Sequence, residues 1–145
     1  MNTTEYSRLM KDKSPSSPLC KDMLLAFLIG GTICAFGEIL HILYVSLGAE
    51  DKTAGTLVSV SLIFLSAVLT ALGLYDKLAK FGGAGTLVPI TGFANAVVSP
   101  AIEFKPEGFV LGVGAKMFAI AGPVIVYGVV ASVVYGVVYW VTTLL

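Results

Sequence analysis

Two stretches of this chain are long, apolar and free of ionisable side chains, Thr53 to Leu74 and Phe81 to Ile102. A run of about 22 such residues covers a hydrocarbon core of ~30 Å at a helical rise of ~1.5 Å per residue. Ahead of them, Met23 to Leu47 is apolar for about 25 residues and interrupted only by Glu38 and His41, which is enough to cross with some tilt. A polar loop, Gly48 to Lys52, separates it from Thr53, and Tyr75, Asp76, Lys77 and Lys80 close the second span. Backbone in lipid must satisfy its own hydrogen bonds, so runs of this length predict an all-α integral membrane protein.

The composition agrees. Of 145 residues 57% are hydrophobic and 12% charged, nine basic against nine acidic, far from the ~25% charged balance of soluble domains. A net charge of zero names no polyanionic partner, and these values exclude a nucleic-acid binder, a disordered tail and an ordinary soluble enzyme. Cys20 and Cys34 are too few for a disulfide scaffold and read as reduced, small apolar fillers.

Residues 1–22 carry Arg8, Lys11, Lys13 and Lys21 and a SPSSP stretch, so they read as an exposed N-terminal tail rather than a cleavable leader. The excess of basic residues there places the N-terminus in the cytoplasm. Residues 23–145 form a single helical transmembrane domain. Within it, Gly82, Gly83, Gly85, Pro89, Gly92, Asn95 and Pro100 break the pattern of a simple lipid-facing helix, a break tolerated only where protein or water covers it. From Gly108 to Leu145 only Lys116 is charged, and one straight helix of that length would reach ~57 Å. Gly112, Gly114, Gly122 and Pro123 mark where it should divide, leaving a span of about 22 residues from Val124 to Leu145. The expected architecture has four to five membrane elements, with Gly/Pro-broken or re-entrant segments around 82–102 and 108–122. If 81–102 crosses, Lys105 lies outside; if it re-enters and returns, Lys105 lies inside.

Several residues stand out against this apolar background. Gly128, Ser132 and Gly136 recur at four-residue intervals, a small-residue stripe for helix packing; the neighbouring Tyr127, Tyr135 and Tyr139 stripe is the alternative, as a pore lining. The valine-rich run lacks the polar-apolar alternation of a membrane strand. Glu38 and His41 share one helix face and are costly in lipid, so they serve either as a neutral pair inside a subunit interface or as a polar pathway site or proton-sensitive gate. Two ligands on one helix do not complete a metal shell, and no metal site or cofactor is expected. Lys116 either snorkels to an interface or neutralises a passing anion. Unwound backbone at Gly83, Gly85, Gly112 and Gly114 offers N–H dipoles to a carboxylate, with Thr91 and Asn95 adding a polar face. The Gly-x-Gly pairs do not extend to a nucleotide-binding fingerprint, no catalytic constellation is present, and an enzyme is not expected.

The stretch GLYDKLAKFGGAGTLVPITGFANAVVSPAIEFKPEGFVLGVGAKMFAIAGPVIVYGVVASVVYG, Gly73 to Gly136, with AFLIGGTICAFGE at Ala26 to Glu38 and DKTAGTLVSVSLIFLSAVLTALG at Asp51 to Gly73, resembles the SpoVA family of spore-forming bacteria. GAGTLVPITGFANA is shared in style by AC-type and AE-type subunits; the Glu103 to Lys116 stretch and the chain length favour the AC type. The resemblance implies a multi-pass subunit of a channel or transport complex in the spore inner membrane. Such a complex moves dipicolinic acid, with Ca2+, into the developing spore and releases it in germination, with tension-responsive channel behaviour. It also implies an AE-type membrane subunit and an AD-type dipicolinate-binding subunit as partners in a hetero-oligomer. On that reading Lys116 and the backbone of Gly83, Gly85, Gly112 and Gly114 balance the dicarboxylate, and Thr91 and Asn95 hydrogen-bond it. Glu38 and His41 gate the path or meet calcium, and replacing Lys116 lowers flux. The alternative is a structural scaffold that assembles a pore formed mainly by a partner.

Overall fold

The computed structural model describes residues 18–144; of the tail expected at residues 1–22, residues 1–17 lie outside the described residues, and Leu19 to Asp22, with Lys21, already belong to the first helix. Among the described residues no strand occurs. The order is α1 (Leu19–Ser46), α2 (Asp51–Ala71), α3 (Tyr75–Gly82), α4 (Ala84–Leu87), α5 (Ile90–Glu103), a 3-10 turn (Lys105–Glu107), a π-helical turn (Phe109–Gly114) and α6 (Ala115–Leu144). Three helical stretches are long and apolar enough to cross a membrane: Leu19–Ser46, Asp51–Ala71 and Phe109–Leu144.

Helices α1 and α2 form an antiparallel pair, and both end in the same glycine cap. Gly48 and Gly73 take φ of +93° and +66°, and the following residues return their N–H groups five residues back, Ala49 to Tyr44 O at 3.1 Å and Leu74 to Leu69 O at 2.9 Å. That geometry satisfies last-turn carbonyls that lipid cannot. Between the helices, Gly37 is buried against Leu62 and Val58, a close approach that a larger side chain at Gly37 would oppose. Tyr44 Oη and Ser61 Oγ meet at 2.7 Å across the same seam.

The Gly/Pro-rich segment does not cross. After α3, Gly83 (φ +46°) turns the chain, and Gly85 is pressed against α1 so closely that a Cβ there would fall on the Ala26 carbonyl. Pro89 then starts α5 beside Gly37 and Leu62, near the middle of α2. From that point α5 runs parallel to α2, since Ser66 reaches Thr91 and, four residues further on both helices, Thr70 reaches Asn95. A helix of 14 residues rises ~21 Å, too short for a ~30 Å core, so α3 to α5 form a re-entrant hairpin that returns to the α2 C-terminal end. The described residues therefore contribute three spans and one re-entrant element, which decides between the two arrangements open to the sequence.

The division expected at Gly122 and Pro123 is absent. Pro123 lies inside a continuous α6, and the irregular backbone falls earlier, at Gly108 (φ +95°) and the π-helical turn. Pro123 forfeits one backbone bond, the one to the Ala119 carbonyl, without ending the helix. Helix α6 packs on α5 and the π-helical turn over its first part, and from Pro123 to Leu144 every residue is exposed. Apolar burial is slight throughout. Ala54, Leu62, Tyr75 and Ala94 are the buried hydrophobic residues among those described, so most of the stabilising burial has to come from surrounding lipid or protein.

Candidate functional site

The polar chemistry of the fold is gathered where the re-entrant hairpin meets α1 and α2. Ser66 Oγ donates to the Thr91 carbonyl at 2.6 Å. The Tyr75 phenol donates to the Thr86 carbonyl at 2.8 Å and lies 3.1 Å from Thr91 Oγ1. Thr86 Oγ1 donates back to the Gly83 carbonyl at 2.9 Å, and Thr70 Oγ1 sits 2.7 Å from the Ser66 carbonyl and 2.8 Å from Asn95 Oδ1. Ser66, Thr86, Thr91 and Tyr75 are all buried. Tyr75 and Thr86 bond carbonyls of the broken turn, those of Thr86 and Gly83, while Ser66 and Thr70 tie α2 to α5, so protein covers the irregular backbone, the condition for it at membrane depth. No buried side-chain nitrogen or oxygen among the described residues lacks a partner.

Two openings flank this cluster. On the α1/α2 side an apolar groove of ≈ 240 Å³ is walled by Ile33, Phe36, Leu65 and Leu69, with Ser66, Tyr75 and Thr91 at its base. On the α3/α5 side a crevice of ≈ 300 Å³ is lined by Gly83, Thr86, Gly92 and Asn95 together with Tyr75. Gly92 has no room for a side chain, because a Cβ would fall on the Thr86 and Leu87 carbonyls. The lining residues of both openings carry no charge.

Of the residues singled out by sequence, Thr91, Asn95 and Gly83 come together here, and Gly85 supports the hairpin from behind by its contact with α1. Lys116, Gly112 and Gly114 do not join them. Lys116 is exposed, its Nζ lying 4.3 Å from the centroid of the Phe104 ring, a cation–π contact at the α5–α6 turn; Gly112 is buried at the same turn, beside Phe104 and Glu107. Glu38 and His41 line one further groove with Gly37, Gly55 and Pro89. Within it His41 Nε2 turns to Asp51, 3.4 Å from its carbonyl oxygen and 3.5 Å from Oδ1. Gly128, Ser132 and Gly136 are exposed on α6, Ser132 Oγ bonding only the Gly128 carbonyl one turn back.

Nothing in the apolar pattern singles out Ser66, Thr70, Tyr75 or Thr86. The available signal is the spacing of Ser66 and Thr70, which puts two hydroxyls on one face of an otherwise apolar span. Thr91 and Asn95 repeat the same spacing on α5.

The chain matches the family model described as SpoVAC/SpoVAEB sporulation membrane protein over residues 22–138. It is similar to stage V sporulation protein AC of Bacillus subtilis (strain 168), 46% identical over 132 residues that cover 90% of this chain and 88% of the relative. No solved structure matches it.

Proposed function

From the premise that the chain belongs to the SpoVAC/SpoVAEB family of sporulation membrane proteins, we propose that it is a membrane subunit of a conduit for dipicolinic acid. In this reading the solute passes with Ca2+ across the spore inner membrane, inward in sporulation and outward in germination, under tension-responsive control. The observation that carries the reading is the uncharged crevice beside the re-entrant hairpin, where Thr86, Asn95 and the backbone of Gly83 sit within an otherwise apolar fold. Broken helices of this kind place polar groups where a solute must shed water. A site with no cation among its lining residues suits a dicarboxylate whose charge calcium already balances, since a lone dianion in such a site would go unpaired.

The N-terminus faces the cytoplasm in this proposal, on the strength of Arg8, Lys11, Lys13 and Lys21, and the re-entrant hairpin then opens to that same side. The chain moves solute without catalysing a reaction, alongside an AE-type membrane subunit and an AD-type dipicolinate-binding subunit. A second reading, that the chain mainly scaffolds a pore formed by a partner, is favoured by α6. Its exposed length from Pro123 to Leu144 includes the Gly128, Ser132 and Gly136 stripe, suited to another membrane helix.

Dipicolinate and calcium-dipicolinate efflux from proteoliposomes tests the proposal, with this chain alone and with its AE-type and AD-type partners, with and without osmotic tension. Flux from the chain alone identifies a pore former. Flux only in the complex identifies an obligate subunit, and an unchanged complex flux after blocking the crevice at Asn95 assigns the chain to scaffolding.

A further inference from the structure

The groove and the crevice lie on opposite faces of the re-entrant hairpin, and Tyr75 is the residue that lines both. The residue is 3% exposed. It is held by its phenol, on the Thr86 carbonyl at 2.8 Å and against Thr91 Oγ1 at 3.1 Å. We infer that Tyr75 is the gate residue of this site: its ring closes the passage between the two openings, and its withdrawal joins them into one path edged by Ser66, Thr91, Thr86 and Asn95. The inference rests on the conduit reading and assigns the closed state of that conduit to one side chain.

Three features suit Tyr75 to this work. It is the first residue of α3, a helix of 8 residues that stands between two glycines of positive φ, Gly73 at +66° and Gly83 at +46°. A short rigid element between two such turns moves as a unit when those few backbone angles change. The latch is small, one donated hydrogen bond and one hydroxyl contact, and interactions of that kind inside membranes contribute little enough to be exchanged. Finally, the partners freed by withdrawal, the Thr86 carbonyl and Thr91 hydroxyl, border openings large enough for water to replace the phenol.

The test reads access of water rather than solute, so it stands or falls separately from dipicolinate transport. In full-length protein carrying C20A and C34A, a single cysteine is placed at Leu69 in the groove wall. Proteoliposomes are then exposed on both faces to a charged, membrane-impermeant thiosulfonate. With Tyr75 in place the cysteine is expected to label at the background rate of a cysteine placed at Leu28, an exposed position on α1. Y75F keeps the ring and loses the latch, and should raise Leu69 labelling about fivefold, the population change that loss of one hydrogen bond brings; Y75A should raise it further. Leu28 labelling should stay at background in both. Rapid labelling with Tyr75 present, or no increase in Y75F, would overturn the assignment, and Y75F decides the matter if Y75A does not fold.

Discussion

Ser66 on α2 and Thr91 on α5 are joined by a 2.6 Å hydrogen bond from the serine hydroxyl to the threonine carbonyl, and this contact sets the direction of the re-entrant hairpin. Thr91 is the second residue of α5, just after Pro89, so its carbonyl lies where the chain reverses. With Thr70 and Asn95 repeating the contact one turn on at 2.8 Å, α5 is held parallel to α2 and in one register.

Ser66→Ala removes the donor and leaves that carbonyl without it. Hydrogen bonds between membrane helices are worth ~0.6 kcal/mol on average and up to ~1.7 kcal/mol. Because Ser66 is 1% exposed, the expected loss is at the upper end. Thermal unfolding in detergent should show a lowered midpoint, and an unchanged midpoint would mean that Thr70 and Asn95 alone hold the register.

Gly85→Ala and Gly55→Ala should part company. A Cβ at Gly85 meets the Ala26 backbone, whereas one at Gly55 meets nothing within 4 Å. The first substitution must push the hairpin away from α1 and is expected to cost ~2 kcal/mol or more, in the range of overpacked sites. The second should be neutral or slightly favourable, by helix propensity. Folded yield and melting temperature of the two variants check this.

If the proposed conduit holds, Asn95→Leu should lower dipicolinate flux from the complex by about tenfold at unchanged protein level, the effect of ~1.4 kcal/mol on a barrier. Lys116→Ala should lower it less, because the ammonium stands over Phe104 rather than in the crevice. An equal or larger loss in Lys116→Ala and Lys116→Glu would put Lys116 on the solute path, as its isolated charge suggested.

Gly128→Leu should leave the melting temperature of the isolated chain unchanged, because nothing lies within 4 Å of a Cβ at that position. If the α6 stripe seats another helix, the same variant should reduce recovery of a complex with the proposed AE-type partner, since a bulky side chain prevents close backbone approach. Co-purification from membranes, with Leu substituted at exposed Val129 as the control, separates loss of assembly from loss of expression.

Much of this molecule is legible without coordinates. The two spans α1 and α2 and the all-helical character follow from apolar length and the scarcity of charge, which are properties of contiguous residues. Thr91, Asn95 and Gly83 could be picked out for the same reason, as polar or unwinding residues in an uncharged run. What the sequence left open or misplaced depends on contacts between distant segments. The 81–102 stretch re-enters because Gly85 seats against Ala26 and Ser66 captures Thr91, pairings that hydropathy along one segment does not encode. Pro123 lies inside a whole α6 while the irregular backbone falls at Gly108 to Gly114, and His41 turns to Asp51 on the neighbouring helix although Glu38 lies on its own face. Tyr75 reads as the polar close of a span, and only the packing of α3 makes it the wall between two openings. The bilayer's demand for apolar length is met locally, residue by residue, whereas a buried hydroxyl finds its partner only once the helices have met.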